Sequence, residues 1–354
     1  MCKSELITVN VHILDPLSDR RWDAFVDRHS RASAFHQRGW LEALARTYGY
    51  EPFVLTNATA DESLKDGVVL CRVSSWLTGT RLVSLPFADH CEPLLNDLGE
   101  SLEFMNWLQL QADHKGWKYI EFRPLPHVCH GTFGLVPSHS YCFHVLDVEP
   151  TLEQIFRGFH KDSIQRKIRR AEKEGLSYNA GRSKQLLDEF YRLVLMTRKR
   201  HQLLPQPRAW FANLMECMGD KVQIRVARKN DIPVAAMLTL RHRSSVIYKY
   251  GCSDERFHNL GGMPFLFWRL IEESKASGVG KIDFGRSDLE NDGLITFKDR
   301  FGTAKALLTY YRYPATKKEE PGMGRFAETA RQFLSLLPDA VCSQAGKLLY
   351  RHMG

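Results

Sequence analysis

Asn259-Leu-Gly-Gly-Met-Pro-Phe-Leu-Phe-Trp-Arg-Leu-Ile-Glu-Glu-Ser-Lys-Ala-Ser-Gly278 is followed by Lys281-Ile-Asp-Phe-Gly-Arg-Ser-Asp288 and then by Thr296-Phe-Lys-Asp-Arg-Phe-Gly302. A pair of glycines opens a helix that closes at Gly278, a strand follows, and a lysine-bearing turn comes after it. Ahead of the glycines, Ser245-Val-Ile-Tyr-Lys-Tyr-Gly251 reads as a further strand. The start of such a helix has free backbone N–H groups and the positive end of the helix dipole, which together can hold a pyrophosphate or another anion.

The same order of elements occurs twice. In the first half an amphipathic helix around Phe35–Ala45 precedes a strand at Glu51–Thr56, a charged turn at Asp61–Gly67, and strands at Val68–Val73 and Arg81–Leu85. In the second half a helix at Trp210–Cys217 precedes Val222–Ala227, a turn at Lys229–Asp231, Val234–Leu240 and Val246–Tyr250. A chain of 354 residues with a hydrophobic fraction of 44% has material for two cores. The expectation is a mixed α/β fold of two domains of like topology, residues 1–150 and 151–315, meeting near Glu149-Pro150, with a helical tail over 316–354.

The helix, strand and lysine turn of the second half resemble the GNAT N-acyltransferases, whose pyrophosphate signature is approximated by Arg256-Phe-His-Asn-Leu-Gly-Gly262. More specifically, Asp283-Phe-Gly-Arg-Ser287 followed by Phe297-Lys-Asp-Arg-Phe-Gly302 is similar to the FemABX group, with the resemblance spanning roughly residues 5–315. That resemblance implies two tandem GNAT-like domains and transfer of an acyl or aminoacyl group to an amine in cell-envelope, peptidoglycan or exopolysaccharide assembly. The donor would be acyl-CoA or aminoacyl-tRNA, with no tightly bound cofactor, and the acceptor an amine on a lipid- or nucleotide-linked substrate.

Lys298 is the leading catalytic candidate. Phe297 and Phe301, at i and i+4, would anchor the turn in the core and direct the lysine. The resemblance implies that it holds the donor and steadies charge developing on the acyl carbonyl, a task suited to a fixed ammonium. A surface lysine is the ordinary alternative. Asp89 and His90, in the proline-bearing loop Ser84-Leu-Pro-Phe-Ala-Asp-His-Cys-Glu-Pro-Leu94, are candidates for the base that takes a proton from the incoming amine; loop Asp and His residues also serve as structural caps. The acceptor would arrive from the cleft between the domains on the Asp89 side.

The charge of +8 is unevenly spread: Arg157–Lys173 has seven basic and two acidic residues. At helical spacing Ile164, Ile168 and Ala171 form one stripe, with Arg166, Arg169, Arg170 and Lys173 opposite and Gly175 as the cap. Like charges on one face repel, so either solvent or a bound anion must compensate them. The resemblance makes this the helix that opens the second domain and meets a phosphate-bearing substrate. Arg200, closing Thr197-Arg-Lys-Arg200, stands where relatives of the group have a phosphate-binding arginine. Arg286 either binds phosphate or pairs with Asp283. Tyr250, Gly261 and Gly262 complete the expected substrate-binding set.

Some features depart from the group. Its peptidoglycan-directed members have a lysine soon after the tryptophan of the first helix, whereas Leu-Glu-Ala-Leu44 follows Trp40, and no heptad arm is evident. Both departures weigh against tRNA and a nucleotide-linked peptide as substrates. Asp283-Phe-Gly285 lacks the companion motifs of a protein kinase, and Gly278-Val-Gly-Lys281 those of a P-loop.

The eight cysteines form no Cys-x-x-Cys pair and are expected to be reduced, most of them as small core residues. His127-Val-Cys-His130 fits no zinc spacing, so no metal is expected. With no membrane-length apolar run and no signal-like N-terminus, a cytoplasmic protein is expected. A secondary expectation is contact with the inner membrane face through the tail, where Phe326, Ala330, Phe333, Leu334 and Leu337 share a helical face flanked by Arg325, Arg331, Lys347 and Arg351. The rival to an enzyme is a non-catalytic GNAT-like protein that binds nucleic acid or an anionic polymer through the basic face.

Overall fold

The computed structural model describes residues 11–76, 78–96, 98–126, 134–314 and 339–352. Two compact units emerge. The first comprises Met1–His139 with Thr309–Thr316, and the second takes in Ser140–Leu308 and the C-terminal helix Asp339–Tyr350.

In the first unit the chain runs β1 (His12–Leu14), α1 (Arg20–Arg28), α2 (Arg38–Tyr48), β2 (Glu51–Thr56), β3 (Val68–Ser75), β4 (Gly79–Val83), α3 (Leu98–Lys115) and β5 (Ile120–Phe122). Strands β1 to β4 form an antiparallel meander, and β5 joins β4 in parallel after the α3 crossover. Phe104, Met105, Leu108 and Ala112 of α3 pack with Leu70, Leu82 and Ile120 into one core cluster.

The second unit repeats this order after an added strand and two added helices. It begins with β6 (Val136–Asp147), α4 (Leu152–Gly158), α5 (Arg166–Lys173), β7 (Ser177–Gly181), α6 (Lys184–Arg200) and α7 (Arg208–Met218). It continues through β8 (Val222–Lys229), β9 (Ile232–His242), β10 (Ser245–Ser253), α8 (Gly262–Ala276), β11 (Lys281–Asp288) and α9 (Asp292–Asp299) to β12 (Ala304–Tyr313). Strands β7 to β10 are the meander and β11 runs parallel to β10. Strand β9 is buried along nearly its whole length because helices cover it; α6 and α8 both pack on it. Helix α8 buries Phe265, Leu266, Phe267, Leu270 and Ile271, and the chain leaves it through Gly278 at φ +69°, with Val279 N–H bonded back to the Ser274 carbonyl.

In each unit the sixth strand comes from across the chain: β6, next after β5 in sequence, extends the second unit's run of strands, and the end of β12 extends the first unit's. Strand β6, which follows β5 in the chain, pairs antiparallel with β11, His144 lying opposite Gly285. The end of β12 pairs antiparallel with β5, matching Tyr311 to Phe122 and Tyr313 to Ile120.

The feature that positions the site is an opening between β10 and β11. Parallel pairing of β10 with β11 covers Ser245–Ile247 and Lys281–Asp283 and stops there, although β10 continues to Ser253 and β11 to Asp288. Both strands are bulged where they part, at Tyr248/Tyr250 and at Asp283/Gly285. Aromatic side chains fill the core beneath: Phe267 stacks on Phe284 at 4.6 Å, and Phe301 lies 5.0 Å from Phe267 and 5.5 Å from Phe284.

Candidate functional site

Lys298 is 2% exposed, so it is not a surface lysine. Its Nζ donates to the carbonyl of Gly285 at 2.9 Å and of Arg286 at 3.1 Å. Those carbonyls belong to the β11 bulge, which Gly285 turns at φ +71° while its N–H donates to Asp283 Oδ1 at 2.6 Å. The stretch read as a turn is one only over residues 300–302; Thr296–Asp299 are the end of the helix α9, which Asn291 caps by accepting the Leu294 N–H and so starts well ahead of Thr296. Phe297 and Phe301 hold it as expected, with ring centroids 5.2 Å apart and both packed against the core cluster. Arg286 places its guanidinium 4.0 Å from the centroid of Tyr141 on β6, and the Asp283 carboxylate is engaged by Gly285.

The basic segment sits between this turn and the start of α8. Residues 161–165 form a π-helical turn, with Gln165 N–H reaching back five residues to the His160 carbonyl, before α5 begins. Such one-turn insertions recur at functional sites. Ile164, Ile168 and Ala171 are buried, as their spacing predicts. Arg166 is 74% exposed and only 3.6 Å from Asp162, Arg170 lies 4.0 Å from Glu174, and Arg169 covers the Phe156 ring at 5.5 Å. Gly175, at φ +67°, caps the helix. The His160 N–H donates to the Arg300 carbonyl, and Phe159 meets Phe301 at 5.3 Å, joining the π-helical turn to the end of α9.

On its other side α5 touches the glycine pair. Gly261 has φ +78°, and a Cβ there would stand 2.5 Å from the Lys167 carbonyl oxygen; one on Gly262 would stand 2.9 Å from the Ala235 Cβ. Both glycines thus permit close helix and strand contact, whatever else the α8 N-terminus holds. Arg200 reaches the same corner: its Nη1 donates to the Ser253 carbonyl at 3.1 Å, and Ser253 Oγ is 2.9 Å from His258 Nε2. Burial first, then the Arg200 charge, push the His258 imidazole below its ordinary value. Tyr250 accepts the indole N–H of Trp210 at 2.9 Å and packs edge-on against Phe211.

Asp89 and His90 belong to the first unit, in the loop leaving β4. They are 8% and 4% exposed. His90 meets Phe35 edge-on at 5.3 Å, and the Asp89 backbone carbonyl accepts the Tyr310 hydroxyl at 2.6 Å. Leu85 and Phe87 both have positive φ, 112° and 61°, an unfavourable conformation for side chains of that size. Arg123 holds the loop by donating to the Leu85 and Ala88 carbonyls.

Four further residues gather near Lys298. His144 Nε2 lies 3.1 Å from Asp299 Oδ1, Asp299 Oδ2 accepts from Lys305 at 3.0 Å, and Cys142 Sγ is 3.7 Å from His144 Nε2. Asp299 stands inside the lysine motif and Cys142 is one of the eight cysteines, whereas nothing in the sequence singled out His144 or Lys305. No group of side chains suited to hold a metal ion occurs among the described residues, and no described helix is long and apolar enough to cross a membrane. His127-Val-Cys-His130 and the apolar face of the tail lie outside the described residues.

Residues 158–298 match the family model described as an acetyltransferase (GNAT) domain, a span that contains the basic segment, the glycine pair, the β11 bulge and Lys298. Among solved structures, FemX is similar at a TM-score of 0.66 and 14% identity, over 82% of this chain and 94% of its own. L-PGS from Bacillus licheniformis is similar at 0.57 and 14% identity, over 92% and 99%. A tandem GNAT protein from the clavulanic acid biosynthesis pathway follows at 0.53 and 10%, over 87% and 100%. A search of curated protein sequences gives no match. The chain therefore has the FemABX-like, tandem GNAT α/β fold that the Phe-Lys motif and the internal repeat led us to expect.

Proposed function

We propose that this protein is an N-acyltransferase that moves an acyl or aminoacyl group from a thioester or ester donor to an amine, in assembly of the cell envelope. The observation that carries the reading is the buried Lys298 ammonium, fixed on the carbonyls of the β11 bulge where β10 and β11 part. In such a transfer the unprotonated amine attacks the donor carbonyl, its oxygen gathers negative charge, and collapse expels a thiolate or alkoxide that takes up a proton. A preorganised cation in a water-poor site stabilises that oxygen more in the transition state than in the ground state. The exposed face of α5, with Arg166 and Arg170 in long, solvated ion pairs, suits the phosphates of coenzyme A or of a tRNA end, and the FemX and L-PGS likenesses support the envelope assignment.

The deciding experiment is single-turnover mass spectrometry of the full chain with acyl-CoA and, separately, aminoacyl-tRNA, each with simple amine acceptors. Transfer from either donor, lost in Lys298→Met, is expected. Absence of transfer from both, with salt-sensitive binding of nucleic acid or polyphosphate to α5, would replace the enzyme with an anion-binding protein.

A further inference from the structure

His144 occupies a position that the reaction as stated does not use. It stands on β6 directly opposite Gly285, so it backs the bulge whose carbonyls hold Lys298. The ring is 0% exposed. Asp299, its 3.1 Å partner, is the residue after Lys298 at the last turn of α9. A carboxylate can only accept, so His144 Nε2 carries the proton and donates it. Burial and then the Lys298 charge lower the affinity of the ring for a second proton, against the pull of Asp299, so the imidazole is neutral at pH 7. Asp299 stays ionised: burial opposes this, but the Lys305 and His144 hydrogen bonds hold its carboxyl below the ordinary value.

The last turn of α9 is thus held on two sides. Phe297, packed on Phe301 of the turn that follows, holds the apolar side, and the Asp299 carboxylate holds the polar side to β6 through His144 and to the start of β12 through Lys305. Helix ends fray when such contacts are missing. A small rotation of that turn, carried along a four-carbon stem, displaces an ammonium by more than the backbone moves.

We propose that His144 is a positioning residue for Lys298: its Nε2–H···Asp299 bond clamps the last turn of α9 to β6 and so fixes the ammonium at the place where the donor oxygen becomes negative. The clamp rests on the acyl-transfer reading for its consequence in rate, and on geometry alone for its effect on Lys298. No proton changes hands in it. Glutamine is the discriminating substitute, since its amide N–H can still reach Asp299, whereas leucine fills the volume and donates nothing.

The test compares His144→Leu, His144→Gln and the native full chain in two measurements: acyl-transfer kinetics, and the 13Cε resonance of Lys298 in 13C-lysine protein, assigned by its loss in Lys298→Met. His144→Leu should lower kcat by about 10- to 100-fold, the scale of a misplaced catalytic group, with KM for the donor little changed and the Lys298 resonance shifted. His144→Gln should restore both. Equal losses in the two variants would reduce His144 to core packing, and native kcat with an unmoved resonance in a folded His144→Leu would overturn the clamp outright. If His144→Leu fails to fold, Asp299→Ala, at a side chain 35% exposed, makes the same cut from the open side and must shift the same resonance. If Lys298→Met turns over like the native protein, the reading of Lys298 has failed, and the resonance alone then decides the clamp.

Discussion

Replacing Lys298 by methionine keeps the length and most of the volume of the side chain and removes its charge. Two opposed effects on stability follow. The carbonyls of Gly285 and Arg286 lose a charged donor, and hydrogen bonds of that kind contribute about 1.5–3 kcal/mol each. Against this, a buried ammonium no longer has to be stripped of water, a cost of several kcal/mol. The terms largely cancel, so the melting temperature should move by a few degrees at most, taking about 2–4 °C per kcal/mol for a unit of this size. The rate has no such compensation. Loss of one preorganised donor to a forming oxyanion costs about two to three orders of magnitude in kcat, while donor affinity, set by contacts along the rest of the molecule, changes little. Circular dichroism and thermal melting establish that the variant is folded, and single-turnover quench with mass spectrometry gives the rate. A folded Lys298→Met protein with native kcat would refute the oxyanion argument.

Arg166→Ala with Arg170→Ala should weaken binding of an anionic donor and flatten its salt dependence, with stability changing by less than about 0.5 kcal/mol because both side chains are exposed; fluorescence titration across ionic strength checks this. Gly261→Ala should destabilise the protein by about 1–3 kcal/mol, since φ is +78° and the added Cβ meets a backbone oxygen at 2.5 Å; urea denaturation measures it. Asp89→Asn, if that carboxylate takes the proton from the amine, should slow transfer and flatten the acidic limb of the pH–rate profile; an unchanged limb dismisses Asp89 as the base. His29, His144, His201 and His258 all have imidazoles held below the ordinary 6.5, burial being the largest cause in each. A depressed folded value means the unfolded chain binds protons first, so their contribution is complete above about pH 6.5 and is lost as pH falls through the folded values; urea midpoints between pH 8 and 5 should fall only in the acidic part of that range.

The repeat was legible because its strands are rich in β-branched, aromatic and other apolar residues with polar turns between them, and Val222–Ala227, Val234–Leu240 and Val246–Tyr250 each fall inside an observed strand. The face of α5 was legible for the same kind of reason: Ile164, Ile168 and Ala171 sit at helical spacing and are buried. The π-helical turn before it was not, since an extra residue in a helix leaves the local pattern almost unchanged. Lys298 could be singled out only by its motif; its burial depends on a bulge in another strand. His144 was invisible because its partner is 155 positions away, and pairing over such distances leaves no local periodicity. The exchange of sixth strands was hidden likewise, because chain order puts β6 next to β5 and gives no hint that β12 takes that place.

That exchange gives the chain a direction in time. The fifth strand of the first unit, Ile120–Phe122, acquires its partner from Tyr311–Tyr313, and the loop bearing Asp89 acquires the hydroxyl of Tyr310. On the ribosome, where synthesis adds about 5–20 residues per second, the first unit must therefore wait through nearly two hundred further residues with one sheet edge open. An open edge is a template for pairing with other chains. A gene fragment ending near residue 150 would leave that edge open permanently, so the first half should be insoluble alone and recoverable when a peptide covering 304–314 is supplied in trans.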